Sequence, residues 1–259
     1  MPNAMPLEIV TIPCRADNYA YLAHDAATGA TAVIDVPDAA PILNALRERG
    51  WRASHILITH HHDDHIAGVA ALAGATGARV IGAAADAHRL PPLDQAVAED
   101  DTIRIGLEEA RVIAVPGHTS GHVAFHLPAT GVVFTADSLM ACGCGRLFEG
   151  TADQMWDSLT KLRALPPETL VCSGHEYTSA NIRFALTVDP ENPALQARAA
   201  TVAAARSRGE PTVPVLLSEE LATNPFLRAA DPAIRAGLDM RQASDAEVFA
   251  RLRALKDKF

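Results

Sequence analysis

The sequence predicts a mixed α/β domain followed by a small all-helical one. Three observations carry that reading. Ten short apolar runs, punctuated by Gly, Pro and Asp, occupy the first two thirds of the chain. Segments with helical spacing lie between some of them, and after residue 176 strand-like runs give way to helical ones. At 259 residues and 49% apolar content, the chain can bury one large core plus a smaller appendage.

In chain order, LEIVTI, YAYLAH and TAVIDV read as strands. DAAPILNALRERG then reads as a helix, with Asp38 near its start and Gly50 just past its end. HILIT reads as a buried strand and HIAGVAALAG as a helix, followed by five strands: ARVIGA, DTIRI, ARVIAV, HVAFHL and GVVFTA. Residues 153–164, DQMWDSLTKLRA, repeat apolar residues at helical spacing before the strand TLVCS. YTSANIRFALTV, NPALQARAATVAAARSRG and ASDAEVFARLRALKDKF then read as helices. The expected division is residues 1–174 and residues 175–259.

Composition excludes several classes. No charge-free run approaches the roughly 18 residues of a membrane span, and MPNAMPLEIVTIPC lacks the basic and apolar regions of an export leader. Cytoplasmic residence is expected. Cys14, Cys142, Cys144 and Cys172 form no CxxC pair and fit a reducing compartment as buried thiols. A net charge of −9 argues against nucleic acid, which needs a basic face, and requires a local basic patch for any anionic substrate. Only three lysines occur, Lys161, Lys256 and Lys258.

The chemistry concentrates in HILITHHHDDHIAG, residues 55–68. If extended geometry continues past HILIT, His60 and His62 point to one side and His61 away. Asp64 and His65 then fall where a helix begins, and its dipole favours a carboxylate there. Such a strand-to-helix turn can aim His60, His62, Asp64 and His65 into one small volume. Two alternatives remain: a helix pairing His61 with His65 at i, i+4, which the β-branched residues upstream oppose, and a solvated polar loop. Three further segments end a strand on a ligand-type residue. VIAVPGHTSGH carries His118 and His122, VVFTADSL carries Asp137, and TLVCSGHEY carries His175. Their repetition points to one shared sheet edge. His24, His55, His88 and His126 have no evident partner and read as ordinary packing histidines.

HxHxDH, PGHTSGH, TADS and GHEY, in that order, resemble the metallo-β-lactamase superfamily. DNYAYL, GCGRLFEGTADQM, GHEYTSANIRFAL, NPFLR and RLRALKDKF narrow the likeness to the glyoxalase II, or hydroxyacylglutathione hydrolase, family. The resemblance spans nearly the whole chain. It implies an αββα sandwich for residues 1–174 and a helical glutathione-binding domain for 175–259. It also implies two metal sites, His60, His62 and His118 in one and Asp64, His65 and His175 in the other, bridged by Asp137. His122 has no ligand role in that pattern and reads as a packing histidine or one that orients a ligand. Arg146, Tyr177, Arg253 and Lys256 look like glutathione contacts. On spacing alone, Arg253 and Lys256 read as a solvated helix end. Phe148 stands where some relatives carry a tyrosine, a loss of one hydrogen bond worth about 0.5–1.5 kcal/mol. Asp63 has no assigned role.

A set of imidazoles and carboxylates without thiolate suits two divalent ions, zinc first, with iron or manganese as alternatives. The implied reaction is hydrolysis of S-(2-hydroxyacyl)glutathione thioesters such as S-D-lactoylglutathione to glutathione and D-lactate, in methylglyoxal detoxification. Its nucleophile would be a hydroxide bridging the ions, with Asp64 and Asp137 as the carboxylates of the centre. Binding to metal can lower a water's pKa from about 15.7 to about 7, on the order of 12 kcal/mol in deprotonation free energy. The leaving thiol has a pKa of only about 8.5, so no strong general acid is required. The expected partner is a small-molecule glutathione thioester, with neither nucleic acid nor membrane, and the expected working unit is a monomer. Competing readings are a one-iron persulfide dioxygenase of the same superfamily, a nuclease, a lactonase and a non-catalytic metal-binding module. The acidic balance opposes the nuclease, and the lactonase leaves the basic tail unexplained.

Overall fold

The computed structural model describes residues 6–259. The start of the segment expected to lack a leader lies outside them. Contacts divide the chain into two compact units, one of residues up to Ala114 with Thr119–Ala136, the other of Val115–His118 with Asp137–Phe259.

In the first unit, a six-stranded sheet takes the strands in sequence order. They are β1 (Glu8–Cys14), β2 (Asn18–His24), β3 (Thr31–Ile34), β4 (His55–Leu57), β5 (Arg79–Ala83) and β6 (Gln95–Val97). β1 to β3 are antiparallel and β3 to β6 parallel. Parallel neighbours need crossovers. α1 (Ala39–Arg49) connects β3 to β4, and α2 (Asp63–Ile66) with α3 (Val69–Thr76) connects β4 to β5. Asp38 caps α1 by accepting the Ala40 N–H, and Gly50 closes it in the left-handed region. Ile42 and Leu46 of α1 and Val69 and Leu72 of α3 share one buried cluster with Ile12, Leu22, Val33, Ile56 and Val80 of the sheet. Each such side chain contributes about 1.5–3 kcal/mol through removal from water. An antiparallel run of β7 (Thr102–Ile105), β8 (Glu108–Ala114), β9 (Val123–Leu127) and β10 (Val132–Ala136) completes the unit.

HIAGVAALAG does not form one helix. The helix breaks between Ile66 and Val69 because the turn docks on Val36, whose N–H donates to the His65 carbonyl (2.7 Å) and whose carbonyl accepts from Gly68 (2.9 Å). A Cβ on Gly68 would lie 2.6 Å from the Ala39 nitrogen, so only glycine permits this approach.

In the second unit, β11 (Leu139–Met140) and β12 (Gly143–Cys144) form a hairpin, followed by α4 (Ala152–Arg163), β13 (Leu170–Ser173), α5 (Thr178–Val188) and α6 (Pro193–Ser207). β14 (Val215–Leu216) pairs antiparallel with β13, and α7 (Leu217–Thr223), α8 (Pro232–Gly237) and α9 (Asp245–Lys256) complete the chain order. Capping boxes start α4 (Thr151 with Gln154) and α9 (Ser244 with Glu247), and Asn192 caps α6 ahead of Pro193. Trp156 of α4 and Phe226 both pack on Phe249 of α9, at 5.8 and 6.0 Å between ring centres. The ten strands and the longer helices stand where the apolar patterns put them. β6, β11, β12, β14, α7 and α8 were not anticipated. No helix among the described residues is long and apolar enough to cross a membrane.

Candidate metal and substrate site

The register pairs Ile34 with Leu57 and Leu57 with Ile81, so β3, β4 and β5 end at one rim of the sheet. Ligands in open α/β sheets gather at such carboxyl ends. Asp35 follows β3 there, and Thr59 and His60 follow β4. Asp35 sits at φ 54°, a left-handed conformation that aspartate tolerates better than most residues. Its buried carboxylate accepts from the Thr59 N–H (2.9 Å), the Thr59 hydroxyl (2.8 Å) and His65 Nδ1 (2.8 Å). With Nδ1 so occupied, His65 turns Nε2 toward Asp64 Oδ2 (3.9 Å). Asp64 is steadied by the Asn18 amide, which donates to its side chain (3.1 Å) and its carbonyl (3.0 Å).

His60 is buried, with Nδ1 3.0 Å from the Thr59 hydroxyl and Nε2 3.1 Å from His62 Nδ1. His61 turns away to Asp86 (3.2 Å), as the alternation of an extended chain requires. The first unit therefore brings His60, His62, Asp64 and His65 into one turn, and the helical alternative for His61 and His65 is absent. The His122 ring stacks on His60 at 4.6 Å, which fits its expected packing role.

The second unit assembles His118, Asp137 and His175. His118 Nε2 and His175 Nε2 approach the same carboxylate oxygen, Asp137 Oδ2, at 3.5 and 3.3 Å. His118 Nδ1 donates to the Arg146 carbonyl (2.8 Å), which fixes its tautomer and aims Nε2 at the carboxylate. GCGRLFEG wraps this ring closely. A Cβ on Gly145 would fall 2.1 Å from the Asp137 carbonyl oxygen and 2.8 Å from His118 Nδ1. Ala136, at φ 42°, turns the chain out of β10 just before Asp137. Such backbone costs about 1–3 kcal/mol and persists where surrounding contacts enforce it.

Beside these histidines, Tyr177 stacks on His175 (4.6 Å, 9°) and Phe148 meets the His118 ring edge-on (5.2 Å), both side chains exposed. Arg146 is exposed. Arg253, at 3% exposure, is no solvated helix end. Its guanidinium donates to the Cys144 carbonyl (2.9 Å) and pairs with Asp257 (2.8 Å). Lys256 donates to the Ala180 carbonyl (3.1 Å), and its pKa is lowered to about 8, first by burial and then by the cations Arg253, Arg183 and Arg146.

Residues 20–175 match the family model of the metallo-beta-lactamase superfamily, and residues 176–259 that of the hydroxyacylglutathione hydrolase C-terminus. A hydroxyacylglutathione hydrolase of Cereibacter sphaeroides (strain ATCC 17023) is 64% identical over 98% of this chain and 100% of its own. The chain belongs to the hydroxyacylglutathione hydrolase family. Another relative of that name, from Jannaschia sp. (strain CCS1), is 66% identical over 97% of this chain and 98% of its own. A solved structure described as TTHA1623 in a di-iron-bound form has a TM-score of 0.60 and 28% identity, covering 85% of this chain and 100% of its own.

The donor geometry fits the metals of a hydroxyacylglutathione hydrolase. Two nitrogens held at about 2.0–2.1 Å by one tetrahedral ion lie about 3.3 Å apart. The His60–His62 nitrogen pair (3.1 Å) and the two imidazole–Asp137 approaches (3.5 and 3.3 Å) match that spacing. Asp35, which with His60 and His65 could also offer a donor, already spends its oxygens on Thr59 and His65, and so orients the His65 ring instead. It was missed in the sequence, although TAVID has the same strand-then-carboxylate form as VVFTAD. Asn18 was missed as a support for Asp64.

Other expectations meet the structure as follows. Cys14, Cys142, Cys144 and Cys172 are buried and in no disulfide, and burial pushes the Cys142 thiol up to about 12. His24 does have partners, Thr31 (2.8 Å) and a stacked Trp51 (3.9 Å), and His55 contacts the Ser54 hydroxyl (2.9 Å). These contacts are local and leave both rings structural. Asp63, exposed, pairs with Arg15 (3.2 Å).

Proposed function

We propose that this chain hydrolyses S-(2-hydroxyacyl)glutathione thioesters, S-D-lactoylglutathione among them, releasing glutathione and a 2-hydroxy acid such as D-lactate in methylglyoxal detoxification. The carrying observation is the 64% identity, over 98% of the chain, to a relative named hydroxyacylglutathione hydrolase. His60, His62 and His118 would hold one divalent cation and Asp64, His65 and His175 a second, with Asp137 Oδ2 shared. Residues 1–174 would carry the catalytic centre and 175–259 the glutathione contacts. Zinc suits the donor set best, with iron and manganese as alternatives. When bound, two such ions lower the pKa of water and polarise a carbonyl oxygen.

The side chains do the rest. Asp35, Thr59 and the Arg146 carbonyl hold His65, His60 and His118 in the tautomers that present Nε2. Glutathione brings carboxylates to a protein of net charge −9, so a local cationic site is required. Arg146, Arg183, Arg253 and Lys256 supply one, and the Lys256 pKa, lowered first by burial and then by repulsion from the three arginines, marks a site that an incoming carboxylate would favour. The exposed rings of Tyr177 and Phe148 flank the ligand-type histidines and offer apolar surface to the thioester arm. Hydroxide adds to the acyl carbon, the C–S bond breaks, and the electron pair leaves on sulfur. With a thiol pKa of about 8.5, that thiolate departs without an acid from the protein.

The test is incubation of zinc-loaded protein with S-D-lactoylglutathione, following thioester absorbance, free thiol and D-lactate. Loss of thioester with one thiol and one lactate per bond is expected, and a coenzyme A thioester should be a poor substrate. An intact glutathione thioester, or oxygen consumption by an iron-loaded form acting on a persulfide, would overturn the reading.

A further inference from the structure

Lys256 sits over a corner formed by two aromatic rings. Its Nζ lies 5.3 Å from the centre of the Phe184 ring in α5 and 5.1 Å from that of Phe259, while it donates to the Ala180 carbonyl at 3.1 Å. The two rings touch each other edge to face at 5.6 Å. Phe184 is 2% exposed, a core residue that also stacks on Phe226 (5.8 Å). Phe259, at 63% exposure, is one of the few large apolar side chains left in water. Burial in a core therefore does not account for the placement of Phe259.

An ammonium on a four-carbon stem has many rotamers, and restricting it costs entropy each time it binds an anion. The corner of two rings on one flank and one carbonyl hydrogen bond restrict it before the ligand arrives, leaving further N–H donors on its open side for a carboxylate.

We infer that Phe259 is a positioning residue. With Phe184 it cages the Lys256 ammonium and so sets the affinity of the carboxylate-binding site without touching the reacting atoms. The inference rests on the glutathione reading for what occupies that site, but the cage itself does not. Groups acting on the ammonium are Arg253 on its own helix, Arg183 on α5, Arg146 after the β11–β12 hairpin and the Cys142 thiol within it. Burial lowers its pKa most, the three cations lower it further, and the thiol opposes them.

The experiment compares wild type with Phe259→Ala and Phe259→Trp, both at a solvent-exposed ring, in two readouts. The first is KM and kcat for lactoylglutathione across pH. In wild type, KM is expected to rise as pH passes about 8, where Lys256 loses its charge. Phe259→Ala should raise KM about three-fold near neutral pH, the weight of one partly exposed cation–π contact, with kcat within about two-fold. Its alkaline rise in KM should move to lower pH, because without the attraction of the ring the ammonium gives up its proton more readily. Phe259→Trp should restore the wild-type KM and profile.

The second readout is the NMR titration of lysine ε-carbons, made simple by a chain with three lysines. The Lys256 titration should move down in Phe259→Ala, while Lys161 stays in place. An unchanged Lys256 titration, or an unchanged KM in a variant whose parent hydrolyses the substrate, overturns the cage. Because the titration needs no turnover, a parent inactive on every glutathione thioester would count against the hydrolase reading alone.

Discussion

Asp35 shows how much one carboxylate outside the ligand set can decide. Both of its oxygens are spoken for, by the Thr59 amide and hydroxyl and by His65 Nδ1, and all three partners stand at the rim where β3 and β4 end. A histidine whose second nitrogen is pinned in this way keeps one tautomer and one ring orientation, which makes it a stronger ligand. Asp35→Asn preserves shape but replaces one acceptor oxygen by a donor, so the amide can satisfy Thr59 or His65 and not both. Zinc affinity, measured by competition with a chromophoric chelator, should fall about 10- to 100-fold, the usual weight of such a support. Hydrolysis should largely return at saturating zinc. An affinity equal to wild type would reduce Asp35 to a purely structural group.

At the scale of elements, the β11–β12 hairpin is held by side chains more than by its own ladder. The Asn224 amide donates to the Met140 and Gly143 carbonyls (3.3 and 2.9 Å), Asn181 to Ala141 (3.0 Å) and Arg253 to Cys144 (2.9 Å). The Cys142 N–H, at a residue forced to φ 55°, donates to the Glu220 carboxylate at 3.1 and 2.9 Å. Glu220 is wholly buried and pairs with the buried Arg198 at 2.5 Å. Glu220→Ala would leave that guanidinium only the longer pair with Glu219 (3.6 Å) and the Thr223 hydroxyl (2.6 Å), at a cost of about 3 kcal/mol. Urea unfolding should show the loss as a lower midpoint. A midpoint within experimental error of wild type would mean that water or another group satisfies Arg198.

None of this network can be read from sequence, because each bond joins residues far apart in the chain. The same holds for Arg253, whose burial depends on a carbonyl 109 positions earlier. Helical periodicity alone therefore made it a solvated side chain. Elements of two or three residues, such as β11, β12 and β14, offer no window in which a period can be counted.

At the scale of the molecule, what was legible is what repeats. Strands such as LEIVTI and GVVFTA are apolar runs bounded by turn residues, and the ligand-type residues recur just past strand ends, so both survive without tertiary knowledge. The break in HIAGVAALAG did not, because it depends on Gly68 meeting Val36 and Ala39. The second carboxylate of the rim, Asp35, was visible in form and was passed over because one aspartate after one strand carries little weight alone. The chain as a whole is acidic, but Arg146, Arg183 and Arg253 act together on Lys256, so affinity for an anionic substrate should depend on that cluster.

The paired arrangement of His118 and His175 on one oxygen of Asp137 gives the most direct test of the chemistry. Chelator-stripped protein is titrated with zinc while hydrolysis of S-D-lactoylglutathione is followed. Turnover that reaches its plateau only at two zinc ions per chain, and that stays far below it in Asp137→Ala at any zinc concentration, is the predicted result. A full plateau at one ion per chain, or a thioester left intact at two, would contradict it.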